Sequence, residues 1–599
     1  MRSAWRQVLV GAALLATCAG ATGFAADAAK LTARTAATQH VDFDVFLPVE
    51  NRAGLEQLLD SLHNSNSPDF HKWLTPAEFN ARFGVSGDKL SAIENELRSM
   101  GLTVAVVAPR QLHVSGSAKD VEAAFASELK TGRFANGSKT VAFSEPFQMP
   151  SSIRAAQGVV TGLSGKFRMR VHSMKTLVDT ATPENRYSTT GPYWFTDLKE
   201  AYRFPSLQAY DGTGVTIGVL VSGNFQPKDI EAYFAHEKIK APSITTVKIA
   251  GGGVFGAYGS DETELDLEQT GGMAPKAHLV YYNVPVLSDG DIFSALTTVL
   301  DMNVVDVLSM SFGIPEKFFT AEYNGGQDLT DYLQIYDDLF AQGNAQGITF
   351  VASSGDAGAL DVPPLACFDP KATSACGRMQ PSLEIPASSP HVTAVGGTNL
   401  VTSSIRGSLS SVYVSENADD DPLMGDIFYG TPAAGAVWGS GGGESIYFRK
   451  PVFQTLAKTG SKFRTVPDVS LHMGGCPRGA VMPCGPDRSG DILVFNSSLY
   501  IAIGTSASAP DFAGLVALKI QRDRSRQGNV NYLLYADSFE QMLGLKGDFR
   551  DEIPGYNGYY STRPGYDQVL GVGTVRGLNF LEPSKGTAAA GTPQTPSNP

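Results

Sequence analysis

The chain has 599 residues, 47 basic and 60 acidic, and a formal net charge of −13. With 42% hydrophobic and 18% charged residues it can bury large cores, which excludes wholesale disorder. The acidic balance excludes a general nucleic-acid binder, which needs a basic footprint, so no nucleic-acid partner is expected.

In chain order, Arg2 and Arg6 precede an apolar stretch from Val8 to Ala16, and small residues run through to Ala26. This is the layout of a secretory signal over residues 1–25, and it implies an extracellular or periplasmic destination. The stretch is too short to favour a stable membrane span, so no stable membrane anchor is expected. Cys18 loosely has the setting of a lipidation site, although Thr17 fits such a site poorly; an uncleaved anchor is the other reading.

Residues 30–175 read as one α+β unit. Val41 to Leu47 alternates like a half-buried strand, residues 67–79 open a helical stretch, and Leu102 to Ala108 is strand-like. Asp120 to Leu129 reads as a short amphipathic helix. From about Ser173 to Pro192 the sequence turns polar, with Thr, Asn, Ser, Gly and Pro, and residues 176–192 are read as a linker.

The pattern changes from Tyr193 onward. Short apolar runs recur between helical stretches at Val215–Val221, His278–Val286, Val304–Met310, Ile348–Ala352 and His391–Val395. Such runs predict an α/β domain over 193–582 built on a largely parallel sheet covered on both faces. Residues 583–599, small, polar and Pro-rich, read as a disordered tail. Cys367 with Cys376 and Cys476 with Cys484 form two local pairs without zinc-site spacing; in an exported chain they are expected to be disulfides.

Three segments carry chemistry. Gly504-Thr505-Ser506-Ala507-Ser508-Ala509-Pro510 joins an apolar run to a helical one. A serine there lies in the positive field of a helix N-terminus beside free N–H groups, which suits a nucleophile, although an ordinary N-cap serine reads the same way. A nucleophilic serine needs a base. None of the nine histidines lies in a His-Gly-Thr context, and His278 and His391 sit in apolar runs as structural residues do.

The second segment offers carboxylates instead. Asp261, Glu262, Glu264, Asp266 and Glu268 fall within nine residues. Positions four apart share a helix face, so Glu262 pairs with Asp266 and Glu264 with Glu268. Two desolvated acids on adjacent turns share a proton, and one pKa rises towards the range of a general base. Periodicity does not choose between the two faces, and a solvated acidic helix start is the plainer alternative. In the third segment an apolar strand, Ile348 to Ala352, ends in Ser353-Ser354-Gly355-Asp356, where an open α/β sheet gathers its ligand sites; an Asx turn is the alternative.

Taken together and in this order, the segments resemble the sedolisin family of serine-carboxyl peptidases. The family's Glu-x-x-Leu-Asp motif matches Glu262 to Asp266, followed by Ala274-Pro275, and its Ser-Gly-Asp and Gly-Thr-Ser motifs match Ser354 to Asp356 and Gly504 to Ser506. The resemblance extends over roughly residues 38–580 and includes Val437 to Gly443, Arg464 to Ser470 and an activation prodomain. It implies a subtilisin-like catalytic domain behind that prodomain. It also implies Glu262 as general base for Ser506, Asp266 as its proton-sharing partner, and Asp356 as the oxyanion-hole donor. Since a carboxyl donates only when protonated, an acid-active enzyme is expected. Val221 and Phe312 stand where some members carry an additional Glu and Trp, so a shorter proton network is expected, with Ser309 to Gly313 bordering the substrate channel.

The resemblance further implies a C-terminal Ca2+ loop. Asp551 and Asp567 would give side-chain oxygens, and Glu552, Arg563 and Gly565 main-chain oxygens. Arg563 replaces the family's usual Gly, which raises a question about the local backbone. The expected protein is therefore a secreted, self-activating acid endopeptidase acting on proteins and peptides and inhibited by its own prodomain. The competing readings are a tripeptidyl-peptidase of the same family, a subtilisin-like enzyme with an unrecognised His, and an inactive secreted binding protein on this fold.

Overall fold

The structure is a computed structural model, and it describes residues 29–134, 139–144, 146–164, 168–177, 191–404, 411–423, 425–475 and 489–582. The expected signal peptide, most of the linker, the Cys476–Cys484 pair and the tail lie outside the described residues. Cys367 and Cys376 are joined by a disulfide.

The N-terminal unit is a four-stranded antiparallel sheet in the order Thr103–Ala108, Gln111–Ser117, His40–Phe46, Val159–Thr161, with helices packed on it. Alternation decides which face is covered: Val41, Phe43 and Val45 point into a core shared with Ile93, Leu97, Val121 and Phe125. The helix at Pro76–Phe83 begins on a capping box between Thr75 and Glu78, with proline at its first position. The expected helix from Asp120 to Leu129 is shorter than its pattern suggested. It spans Ala118–Phe125 and stops at Ala126, which is left-handed (φ 50°), because Leu129–Arg133 is taken up as a strand.

The second unit is built on an eleven-stranded sheet. Its parallel heart runs Ser243–Lys248, His278–Val284, Thr216–Ser222, Val307–Met310, Thr349–Ser353, Thr393–Ser404, Val469–His472. All five apolar runs seen in the sequence contribute strands to this heart. They are predominantly apolar rather than alternating because helices cover both faces. Two helices matter for function: Ser260–Met273, and Thr505–Asp523 packed against it.

The two units meet through an apolar patch, where Leu55, Leu59, Phe79 and Phe83 pack on Ala341 and Ala345. Beside it the Arg52 guanidinium is held by Asp337, Asp338 and Glu56, and His391 lies between Asp337 (2.8 Å) and Glu56 (3.5 Å). The Glu56, Asp337 and His391 ligand atoms lie within 4.8 Å of one another, a spacing that could hold a metal ion. Here the Arg52 cation already supplies the positive charge. Among the described residues no helix is long and apolar enough to cross a membrane.

Candidate active site

Each chemistry-bearing segment ends at the carboxyl edge of the parallel sheet. Asp356 follows the Thr349–Ser353 strand, and Ser506 is the second residue of the Thr505–Asp523 helix. Glu262 and Asp266 lie one turn apart on the Ser260–Met273 helix. All four side chains are buried.

The structure separates the two acidic faces of that helix. Glu264 Oε1 accepts the Gln226 N–H at 2.8 Å, and Glu268 Oε2 accepts the Val494 N–H at 3.1 Å, so this pair ties down neighbouring loops. Glu262 and Asp266 face the serine. Burial first, and then the charge of Asp266, raises the Glu262 pKa well above the carboxylate range; the hydroxyls of Ser173 and Ser506 pull it back. Burial likewise raises Asp266, whose Oδ1 accepts from the Ser311 hydroxyl at 2.6 Å. Glu262 Oε1 and Asp266 Oδ2 have no hydrogen-bond partner. Two desolvated acids with open oxygens can share one proton and leave one basic oxygen. No imidazole bonds the Ser506 hydroxyl among the described residues; its hydrogen bond goes to the Ser311 carbonyl at 3.4 Å.

Asp356 Oδ1 accepts both the Thr505 N–H (2.8 Å) and the Thr505 hydroxyl (2.7 Å), while Oδ2 has no partner. Burial pushes this carboxyl up to about 7, against the opposing pull of His172 and Thr505. With Oδ1 occupied as an acceptor, a proton on this carboxyl would sit on Oδ2.

The chain's own residues 168–177 occupy this cleft, a feature that sequence pattern did not reveal. Arg170–Val171 pairs antiparallel with Phe312–Pro315, which sets Ser311–Gly313 of the expected Ser309–Gly313 border beside this segment, and Met174–Leu177 pairs antiparallel with Ser498–Ile503. Between the two strands, the His172 N–H donates to the Ser311 carbonyl (3.2 Å), and the His172 carbonyl accepts the Ser506 N–H (3.0 Å). The Ser173 hydroxyl donates to Glu262 Oε2. The His172 ring serves as neither base nor nucleophile, since Nδ1 meets the Ser353 hydroxyl (2.6 Å) and Nε2 lies against Glu384. Gly504 explains how close the approach is. A Cβ there would stand 2.1 Å from the His172 carbonyl oxygen and 2.7 Å from Asp356 Oδ2, so both oxygens border one point beside the serine. The sequence offered a polar linker composition from Ser173 onward and no strand signal, because the partners that straighten the segment lie more than a hundred residues away.

Residues 27–165 match the model of the pro-kumamolisin activation domain, and residues 248–534 that of the subtilase family. Sedolisin of Pseudomonas sp. (strain 101) is 26% identical over 89% of this chain and 85% of its own length. Tripeptidyl-peptidase sed4 of Aspergillus fumigatus is 23% identical over 90% of this chain and 92% of its own. Among solved structures, Pseudomonas sedolisin, a serine-carboxyl proteinase complexed with two molecules of pseudo-iodotyrostatin, matches with a TM-score of 0.52 and 25% identity, over 66% of this chain and 98% of that one. The chain belongs to the sedolisin family. As a sedolisin-family protein it is a serine-carboxyl peptidase made with an activation prodomain in front of a subtilisin-like catalytic domain.

The expected calcium loop lies away from the cleft. Asp551 Oδ2 accepts the Gly565 N–H (2.6 Å), and Asp567 accepts the N–H groups of Arg563, Val569 and Leu570 (2.8–2.9 Å). Asp551 Oδ1 is buried without a partner, and burial, with Asp567 and Glu552 nearby, raises this carboxyl to about 6. The Glu552, Arg563 and Gly565 carbonyls accept no hydrogen bond from the described protein groups. An orphaned oxygen beside like charges and open carbonyls fits a hard cation. Arg563 has no positive φ, so the loss of the family's glycine at that place brings no backbone strain.

Proposed function

We propose that this peptidase is an exported zymogen that cuts itself at His172–Ser173 and then acts as an endopeptidase at acid pH. The observation that carries the reading is the His172 carbonyl resting on the Ser506 N–H while its chain runs extended through the cleft on both sides. In this reading Glu262 removes the Ser506 proton as its oxygen attacks the His172 carbonyl carbon. Asp266 shares the proton, and the neutral Asp356 donates from Oδ2 to the developing oxyanion beside the Ser506 N–H. The proton on Glu262 then passes to the leaving Ser173 nitrogen, and water hydrolyses the acyl-enzyme.

Endopeptidase action is favoured over tripeptidyl action because a continuous chain enters the cleft at Arg170–Val171, ahead of the carbonyl, with the whole prodomain attached. A tripeptidyl-peptidase needs that side closed after three residues. Asp551 and Asp567, with the carbonyls of Glu552, Arg563 and Gly565, would hold Ca2+, which would brace the C-terminal loop. The basic, short apolar N-terminus supports export.

Acidifying the purified zymogen tests the reading. A new N-terminus at Ser173 is expected, Ser506→Ala should remain full-length, and the activated enzyme should cut peptides with blocked N-termini. Identical processing of wild type and Ser506→Ala would remove the basis for Ser506 as nucleophile.

A further inference from the structure

Arg170 lies two residues ahead of the residue whose carbonyl rests on Ser506, and its guanidinium is 4% exposed. Its Nη2 meets Asp361 Oδ1 and also Glu384 Oε1 at 2.5 Å. The guanidinium carbon stands 4.7 Å from the ring centres of both Phe428 and Tyr429, and the Tyr429 hydroxyl reaches Asp361 Oδ1 at 3.4 Å. Asp361 and Glu384 are each 2% exposed. Two buried acids and two aromatic walls around one planar cation are specific to arginine. Lysine lacks the flat face that lies against the two rings, and a neutral side chain would leave two acids facing each other without a cation.

The four wall residues belong to the catalytic domain, whereas Arg170 belongs to the segment that precedes the cut. The pocket therefore outlives its first occupant. We propose that Asp361, Glu384, Phe428 and Tyr429 form an arginine-selecting subsite, so that the enzyme's substrates are peptides with arginine two residues ahead of the residue that gives the scissile carbonyl. The proposal rests on the reading that the His172 carbonyl marks the cut. It adds to that reading what the catalytic residues alone do not specify, namely where the enzyme cuts in a foreign protein.

The test uses the self-activated wild-type enzyme and four blocked, internally quenched peptides that differ only in X of X-Val-His-Ser, with X as Arg, Lys, Gln or Leu. The Arg peptide should exceed the Gln and Leu peptides in kcat/KM by at least about thirtyfold, and the Lys peptide by about tenfold, with cleavage after His. Asp361→Asn and Glu384→Gln should each reduce the Arg-to-Leu ratio by at least about tenfold. Equal cleavage of all four peptides after His overturns the subsite and leaves the proposed cut intact. Cleavage at a different bond, or none in any peptide, overturns both. The peptide comparison needs no variant, so a misfolded mutant does not decide it.

Discussion

Replacing Asp356 by Asn separates a proton-gated donor from a permanent one. The wild-type carboxyl, with burial holding its pKa at about 7, loses its donor proton as the pH rises. Its protonated fraction falls about tenfold per unit above pH 7, so self-cleavage at pH 9 should run about 100-fold slower than at pH 5 on this account alone. The amide of Asn keeps both functions. Its oxygen can accept from Thr505, as Asp356 Oδ1 does, and its N–H donates at every pH. Asp356→Asn should therefore flatten the alkaline limb and overtake wild type above pH 8, whereas Asp356→Ala should lose about 10²- to 10³-fold at pH 5. The assay is the first-order loss of full-length zymogen on a gel at pH 4–9, independent of protein concentration because the cut bond lies in its own cleft. Superimposable pH profiles for wild type and Asp356→Asn, or a wild-type rate still rising through pH 8, would refute the donor role.

Other outcomes are open to measurement. Glu262→Gln should slow self-cleavage by at least about 10³-fold while leaving the fold intact by circular dichroism, because a neutral amide replaces the basic oxygen. Carboxyl groups whose pKa is raised on folding stabilise the fold below the ordinary carboxylate range, and that stabilisation is lost as the pH climbs through the raised value. For Asp356, the rise from 3.8 to about 7 corresponds to about 4 kcal/mol lost by pH 8, and Glu262, Asp266 and Glu268 act in the same direction. The catalytic-domain transition of the Ser506→Ala zymogen should therefore lie higher at pH 4.5 than at pH 8.5. His63 has the opposite sign. Its Nε2 accepts the Asn529 N–H at 2.8 Å across the interface between the units, and burial lowers its pKa to about 4. Its contribution is full above about pH 6.5 and lost as the pH falls through 4, so Trp73, whose ring packs on His63, should report loosening of the prodomain in that window. His63→Gln, which keeps an acceptor without the titration, should move the change to lower pH. Ca2+ should raise the melting temperature of the zymogen, and Asp551→Asn should abolish the increase.

The sheet was legible because its strands are buried on both faces. A largely apolar, β-branched run such as Val215–Val221 has few alternatives once helical stretches flank it. The Ser260–Met273 helix was harder. It carries five acids, yet all but Asp261 among its residues are buried, so no polar stripe reveals its orientation and periodicity gives two equivalent faces. Only the partners of the side chains decide, with Gln226 and Val494 claiming one pair and Ser311 and Ser506 meeting the other. Residues 170–177 were illegible for a different reason. Their extended shape comes from the edges of distant strands, and nothing within Arg-Val-His-Ser-Met-Lys-Thr-Leu prescribes it.

The strand Met174–Leu177 has a consequence for timing. A cut before Ser173 leaves this strand bonded along Tyr500–Ile503, with a fresh α-ammonium beside Glu262. The severed end then acts as a retained product plugging the downstream half of the groove. Scission and unplugging are separate events, so the disappearance of full-length chain should run ahead of turnover of added peptide, with a lag set by how fast four residues peel from the edge of their sheet.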